Sequence, residues 1–168
     1  MLFRSQFAIL GTGDPTYQSQ LARIAEREPD QVAARFEFDE ALARRIYAGA
    51  DMFLMPSRFE PCGLSQLYSL RYGAAPIVRA VGGLDDTVVD ARERHAEGAA
   101  TGFKFHRYRT TALASALQRA MDLFSRPTEW GRLVERCMAQ DWSWDHSAQA
   151  YVEVYRRAVH RAAGRRRG

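Results

Sequence analysis

The residues best suited to chemistry lie in one stretch, Pro56-Ser57-Arg58-Phe59-Glu60-Pro61-Cys62-Gly63-Leu64-Ser65-Gln66. It follows an apolar run, Asp51–Met55, and leads into a segment of helical pattern, Gly63–Tyr72. Strand, loop and helix in that order is where open α/β sheets bind ligands, beyond the carboxyl ends of their strands. A helix that starts there presents N–H groups without intrahelical partners and the positive end of its dipole, which suits a phosphate. Gly63 lets the backbone approach a ligand closely. Glu60 stands at the mouth of the same cleft, where its carboxylate would accept hydrogen bonds from sugar hydroxyls. A glutamate ahead of a helix also serves as a plain partner of the dipole, so the segment alone leaves both roles open.

The elements that must position this stretch follow from periodicity. Short β-rich runs are expected at Phe7–Leu10, Val32–Phe38, Asp51–Met55, Ala75–Arg79 and Gly102–Phe105. Between them lie helical patterns at Thr16–Arg27, Glu40–Ala48 with Asp39 as N-cap, Gly63–Tyr72, and a short one from Gly82-Gly83 to Val88. The near-continuous apolar run Asp51–Met55 is expected as a central strand covered on both faces. This alternation predicts an α/β fold, a Rossmann-like parallel sheet flanked by helices, with right-handed crossovers. Beyond Thr110 the pattern turns all-helical, with helices at Ala112–Phe124, Trp130–Ala139 and Ser143–His160.

Composition narrows the function classes. At 168 residues and 46% hydrophobic, the chain is one domain of ordinary size with enough apolar content for a core. No apolar run is long enough to cross a bilayer, and the N-terminus lacks a signal-peptide layout, so no membrane partner and a cytoplasmic location are expected. Cys62 and Cys137 lie in no metal-like spacing and read as free thiols. The net charge of +4 is concentrated at the end. Six arginines follow Tyr155 (Arg156, Arg157, Arg161, Arg165, Arg166, Arg167), and removing them from +4 leaves −2 for the rest. A mildly acidic body with a basic tail argues against a nucleic-acid partner.

Arg58-Phe59-Glu60-Pro61-Cys62-Gly63-Leu64 resembles the donor-site motif of bacterial glycogen synthases and plant starch synthases. These are retaining glycosyltransferases built from two facing Rossmann-like domains, the GT-B architecture. Further segments agree in order and spacing: Gly11-Thr12-Gly13-Asp14, Arg71-Tyr72-Gly73, Gly82-Gly83-Leu84, Asp86-Thr87-Val88, Thr101-Gly102-Phe103 and Asp141-Trp142-Ser143-Trp144. The resemblance implies the C-terminal, donor-binding half of such an enzyme. Residues 1–160 would form an ADP-glucose-binding domain, incomplete at its N-terminus, and 161–168 a basic disordered tail. Its reaction would be retaining transfer of glucose to the non-reducing end of an α-1,4-glucan.

Residue by residue, the resemblance implies that Glu60, the candidate catalytic group, binds hydroxyls of the transferred glucose, helped by the N–H groups of Cys62 and Gly63. The N–H groups of Leu64 and Ser65 would hold the distal phosphate of ADP. Phe38 falls where the family stacks an aromatic ring on adenine, although a core position at a strand end is the commoner fate of phenylalanine. Gly13 would line the nucleotide cleft, unless it is a turn glycine needing positive φ. Gly82 and Gly83 resemble a second glycine-rich turn near the glucosyl group, with plain turn chemistry as the alternative. No metal and no cofactor are required.

The chain also departs from the pattern. Tyr68 stands where many retaining relatives carry a second glutamate, which fits the glycogen and starch synthase branch. Val81 replaces a threonine in the Arg79–Leu84 motif, so no hydroxyl contact is assigned there. The family's acceptor domain and an Arg-x4-Lys pair that neutralises the diphosphate have no counterpart before Gly11, nor do the first strand and helix of the donor domain, which leaves a sheet edge uncovered. The chain alone is therefore expected to lack significant transferase activity, and the glucan acceptor to need the other domain. Tyr151, Val154, Tyr155 and Val159 on the last helix are expected to form an exposed stripe that favours self-association. Two other readings are a stand-alone nucleotide-binding or regulatory module, and a basic-tailed protein with salt-sensitive nucleic-acid binding.

Overall fold

The computed structural model describes residues 5–92 and 98–165. Strands and helices alternate as far as Phe105: β1 (Phe7–Leu10), α1 (Pro15–Arg27), β2 (Val32–Arg35), α2 (Glu40–Gly49), β3 (Met52–Met55), α3 (Leu64–Tyr72), β4 (Ala75–Arg79), α4 (Gly83–Thr87) and β5 (Phe103–Phe105). Helices α5 (Thr110–Phe124), α6 (Pro127–Met138) and α7 (Trp144–Arg165) complete the order. The caps are local and chemical. Asp14 accepts from Thr16 N at 2.7 Å with Pro15 at the first helical position, and Asp39 accepts from Leu42 N at 2.9 Å.

Among the described residues all strand pairs are parallel, in two sheets: β1 beside β2, and β3-β4-β5. β2 stops at Arg35 rather than Phe38. Its partner runs out there, because Leu10 pairs Arg35 and the last bond is Gly11 N to Arg35 O at 3.1 Å. β3 corrects a second expectation. It is the edge of its sheet, all four residues are only half-buried, and β4 is the covered central strand.

The core lies in the second sheet. Leu70, Ile77, Phe103, Phe105, Ala116, Ala120, Trp130, Leu133 and Cys137 pack together, so α3, α5 and α6 cover one face of β4 and β5. Val78, on the other face of β4, meets Leu84 and Val88. Trp130 stacks on Phe103 at 6.5 Å and takes Phe124 edge-on at 5.0 Å. The side chains of α7 are exposed from Trp144 to Ala162 apart from Ser147, and Tyr151, Val154, Tyr155 and Val159 form the open stripe expected. The helix runs past His160 to Arg165, into the stretch read as a disordered tail; residues 166–168 lie outside the described residues. No helix among the described residues is long and apolar enough to cross a membrane.

Candidate functional site

The loop from Pro56 to Gly63 leaves the carboxyl end of β3 and turns into α3. Arg79, at the end of the neighbouring strand β4, clamps its start. The guanidinium donates from Nε to Ser57 O at 2.8 Å and from Nη2 to Arg58 O at 2.5 Å, and it lies 5.5 Å from the Tyr108 ring centroid. With its carbonyls held, the loop carries Glu60 in a half-buried position rather than out in solvent.

Gly63 caps α3 in the left-handed region, φ 82° and ψ 58°. That conformation favours glycine, and a Cβ there would also run into the Gln66 amide and Leu84. No side chain among the described residues caps the helix. Among the described residues, none of the N–H groups of Cys62, Gly63, Leu64 and Ser65 donates to a protein acceptor. The row of amides expected at this helix start is therefore open and unspent, on the same loop-to-helix junction that carries Glu60.

A second loop closes against the first. Gly82 (φ 49°, ψ −138°) and Gly83 lie so close to the carbonyls of Glu60 and Cys62 respectively that neither could carry a Cβ. Turn geometry and backbone contact thus account for both glycines, and they also put the Gly82-Gly83 turn at the edge of the Glu60 notch. Behind the notch, Gln66 Nε2 donates to Thr87 Oγ1 at 2.5 Å, and Thr87 Oγ1 donates to Gly83 O at 2.5 Å. Gln66 Oε1 is buried with no hydrogen-bond partner among the described residues. Sequence reasoning gave Arg79, Gln66 and Thr87 no role. For Thr87 a signal existed: it sits four residues after Gly83 on a helix, the spacing at which a hydroxyl returns to a carbonyl.

Gly13 and Phe38 occupy the loops at the carboxyl ends of β1 and β2, in the other sheet. The positive φ in the first of these loops belongs to Gly11 (144°), not Gly13, so the turn explanation for Gly13 falls away; nothing lies within 4 Å of where its Cβ would be. Phe38 is 93% exposed, which removes the core explanation for it. The structure therefore brings Glu60, Cys62, Gly63, Leu64, Ser65, Gly82 and Gly83 into one notch. Gly13 and Phe38 stand on the same kind of strand end in the other sheet.

Charge elsewhere is structural. Asp90 is buried and accepts from Arg92 N (2.9 Å), Lys104 N (2.9 Å) and Arg119 Nη1 (2.9 Å). Burial pulls its carboxyl upward, but the amide bonds and the Arg119 charge outweigh that and hold it below the ordinary value. Cys137 donates to Thr101 O at 3.1 Å, and burial pushes its thiol up to about 12. Cys62 is an exposed free thiol within the notch loop. No group of three His, Cys, Asp or Glu among the described residues is placed to hold a metal. A shallow groove of about 550 Å³ along α7, lined by Val152, Tyr155, Arg156, Val159 and His160, belongs to a single exposed helix.

Known proteins supply the comparison. The chain is 58% identical over 151 residues to a glycogen synthase of Anaeromyxobacter sp. (strain K), a match over 90% of this chain and 31% of that protein. It is 47% identical over 160 residues to a glycogen synthase of Thermotoga petrophila, over 95% and 32% respectively. Among solved structures, the catalytic domain of Starch Synthase IV from Arabidopsis thaliana, bound to ADP and acarbose, superposes with a TM-score of 0.82 at 38% identity, over 92% of this chain and 32% of that one. The chain thus spans about a third of the length of these relatives. Its parallel sheets and flanking helices match the C-terminal Rossmann-like domain of a GT-B glycosyltransferase. Residues 2–123 match the family described as glycosyl transferases group 1. A match of that extent, on a fold that shares its topology, makes this chain a member of the group 1 glycosyl transferases.

Proposed function

We propose that this chain is the donor half of a glucan synthase that uses ADP-glucose. Glu60 accepts hydrogen bonds from hydroxyls of the glucosyl group, with the N–H groups of Cys62 and Gly63 beside it. The N–H groups of Leu64 and Ser65 hold the distal phosphate. Gly82 and Gly83 border the sugar, Gly13 lines the nucleotide cleft and Phe38 stacks on adenine. The starch synthase that this chain resembles holds ADP, and the same nucleotide suits the open end of α3.

Transfer breaks the bond between the anomeric carbon and the diphosphate oxygen. A new bond forms from that carbon to a hydroxyl at the non-reducing end of an α-1,4-glucan, with retention, and the hydroxyl proton is released. The dipole and free amides of α3 stabilise the negative charge that grows on departing ADP. Acceptor binding is assigned to the facing domain and the cationic pair for the diphosphate to the start of the donor domain, neither within these 168 residues, so the chain by itself binds donor without turnover.

One observation carries this reading: backbone N–H groups without a protein acceptor follow directly on half-buried Glu60, in the loop at the carboxyl end of a parallel strand. Calorimetric titration with ADP-glucose and with ADP tests it. The wild-type chain should bind ADP-glucose more tightly than ADP, and Glu60→Ala should abolish that preference while ADP binding persists. Equal affinity of the wild-type chain for both, or a preference untouched in Glu60→Ala, contradicts the assignment.

A further inference from the structure

We infer that Gln66 and Thr87 are positioning residues that keep the α3 amides open for a diphosphate and lock the Gly82-Gly83 turn against them. The inference rests on the donor-site reading above. Gln66 is the third helical residue after the Gly63 cap, the place from which a glutamine side chain commonly folds back to bond the cap residue's own N–H. Here it does not. Its Nε2 is committed to Thr87 Oγ1 at 2.5 Å. The single hydroxyl proton of Thr87 goes to Gly83 O at 2.5 Å, so toward Gln66 that oxygen can only accept. The direction of each bond is thereby fixed: the amide nitrogen faces Thr87, and the amide oxygen faces Gly63, in the space a Cβ would fill.

That oxygen is buried and has no partner, which is costly for a polar atom. A site selected only for packing would carry an apolar side chain here. What the arrangement secures is geometric. Gln66 is tethered so that its oxygen lies against Gly63 without bonding the amides it would otherwise cap, and its tether ends on the carbonyl of Gly83, whose Cα rests against Cys62 O. The strut thus links the loop that holds Glu60 to the turn that faces it, and sets their spacing around the distal phosphate. The nucleoside end of the ligand lies outside its reach.

The test compares ADP with AMP, which lacks the distal phosphate, by titration of the full chain and three variants. In Thr87→Val and Gln66→Met, ADP affinity should fall roughly tenfold, the scale of one lost hydrogen-bonded contact, while AMP affinity changes by less than about twofold. Thr87→Ser, which restores the hydroxyl, should recover the wild-type ratio. Gln66→Met also removes the unpartnered oxygen, so its thermal midpoint should not fall; it carries the test if Thr87→Val does not fold. ADP and AMP weakening in parallel, or an unchanged ratio in both variants, overturns the strut but leaves the donor site standing. A wild-type chain that does not prefer ADP to AMP overturns the donor-site reading itself, and the strut with it.

Discussion

β1 and β4 are both short parallel strands rich in apolar residues, yet their surroundings differ. β4 has Ile77 in one cluster and Val78 in another, with α3, α5 and α6 covering one face and α4 the other. From Ser5 to Cys62, by contrast, no described residue is buried, and the apolar side chains of β1, α1, β2, α2 and β3 are half-covered at best. The hydrophobic term scales with area removed from water, so the two regions cannot contribute equally to stability. The candidate site straddles this divide. Glu60, the α3 amides and the Gly82-Gly83 turn rest on or beside the packed half, whereas Gly13 and Phe38 stand on the thinly packed one. On the proposed reading, a preorganised diphosphate and sugar notch is joined to a nucleoside side that burial does little to fix.

The comparison is broken most directly by truncating one residue from each region. Leu133→Ala, in the core beneath β4 and β5, should cost about 2–5 kcal/mol in chemical denaturation. Ile24→Ala, on the exposed side of α1, should cost about 1 kcal/mol or less. Similar costs at both positions would remove the distinction between the halves.

A smaller effect concerns acid. Asp90 joins α5 to β5 through Arg119, and its folded-state value lies below the ordinary 3.8. Because it is lowered, its contribution is fully present above the unfolded value and is lost as pH falls through the folded one. The thermal midpoint should therefore hold above about pH 4 and drop below it, with Asp90→Asn flattening that drop and costing about 1–3 kcal/mol at neutral pH. An acid limb of the same depth in Asp90→Asn would assign it to other carboxylates.

The smallest perturbation needs no substitution. A thiol reagent at neutral pH should label Cys62 quickly and Cys137 only on unfolding, since the second is buried with its thiol held near 12. Labelling of both at similar rates would mean that the packed half opens as readily as the loop.

Much of this was legible in the residues, and the misses have physical causes. Ala75–Arg79 reads as a strand and is one, because β-branched residues between Gly73 and Gly82 leave little else. Asp39 announces a helix start through side-chain chemistry that is local. Asp51–Met55 was misleading, since apolar continuity reports what a strand would bury, and here, among the described residues, its outer edge has no neighbouring strand. Val32–Phe38 was read too long because strand length depends on the partner, which ends at Leu10. The notch itself was visible from one glycine and one glutamate beside a helix start. Its supports were not: the Arg79 clamp spans 21 and 22 residues, and the Gln66–Thr87 bond spans 21, so only the folded chain brings those groups together.

The central claim is that backbone amides at the start of α3, beside Glu60, receive a sugar diphosphate. Amide chemical shifts of the isotope-labelled chain, followed during titration with ADP-glucose, read those amides one by one. The expected result is saturable movement concentrated at residues 62–65 and 82–83, with little change along α5 and α6. Shifts confined to α7, or saturable binding that leaves residues 62–65 unmoved, would contradict it.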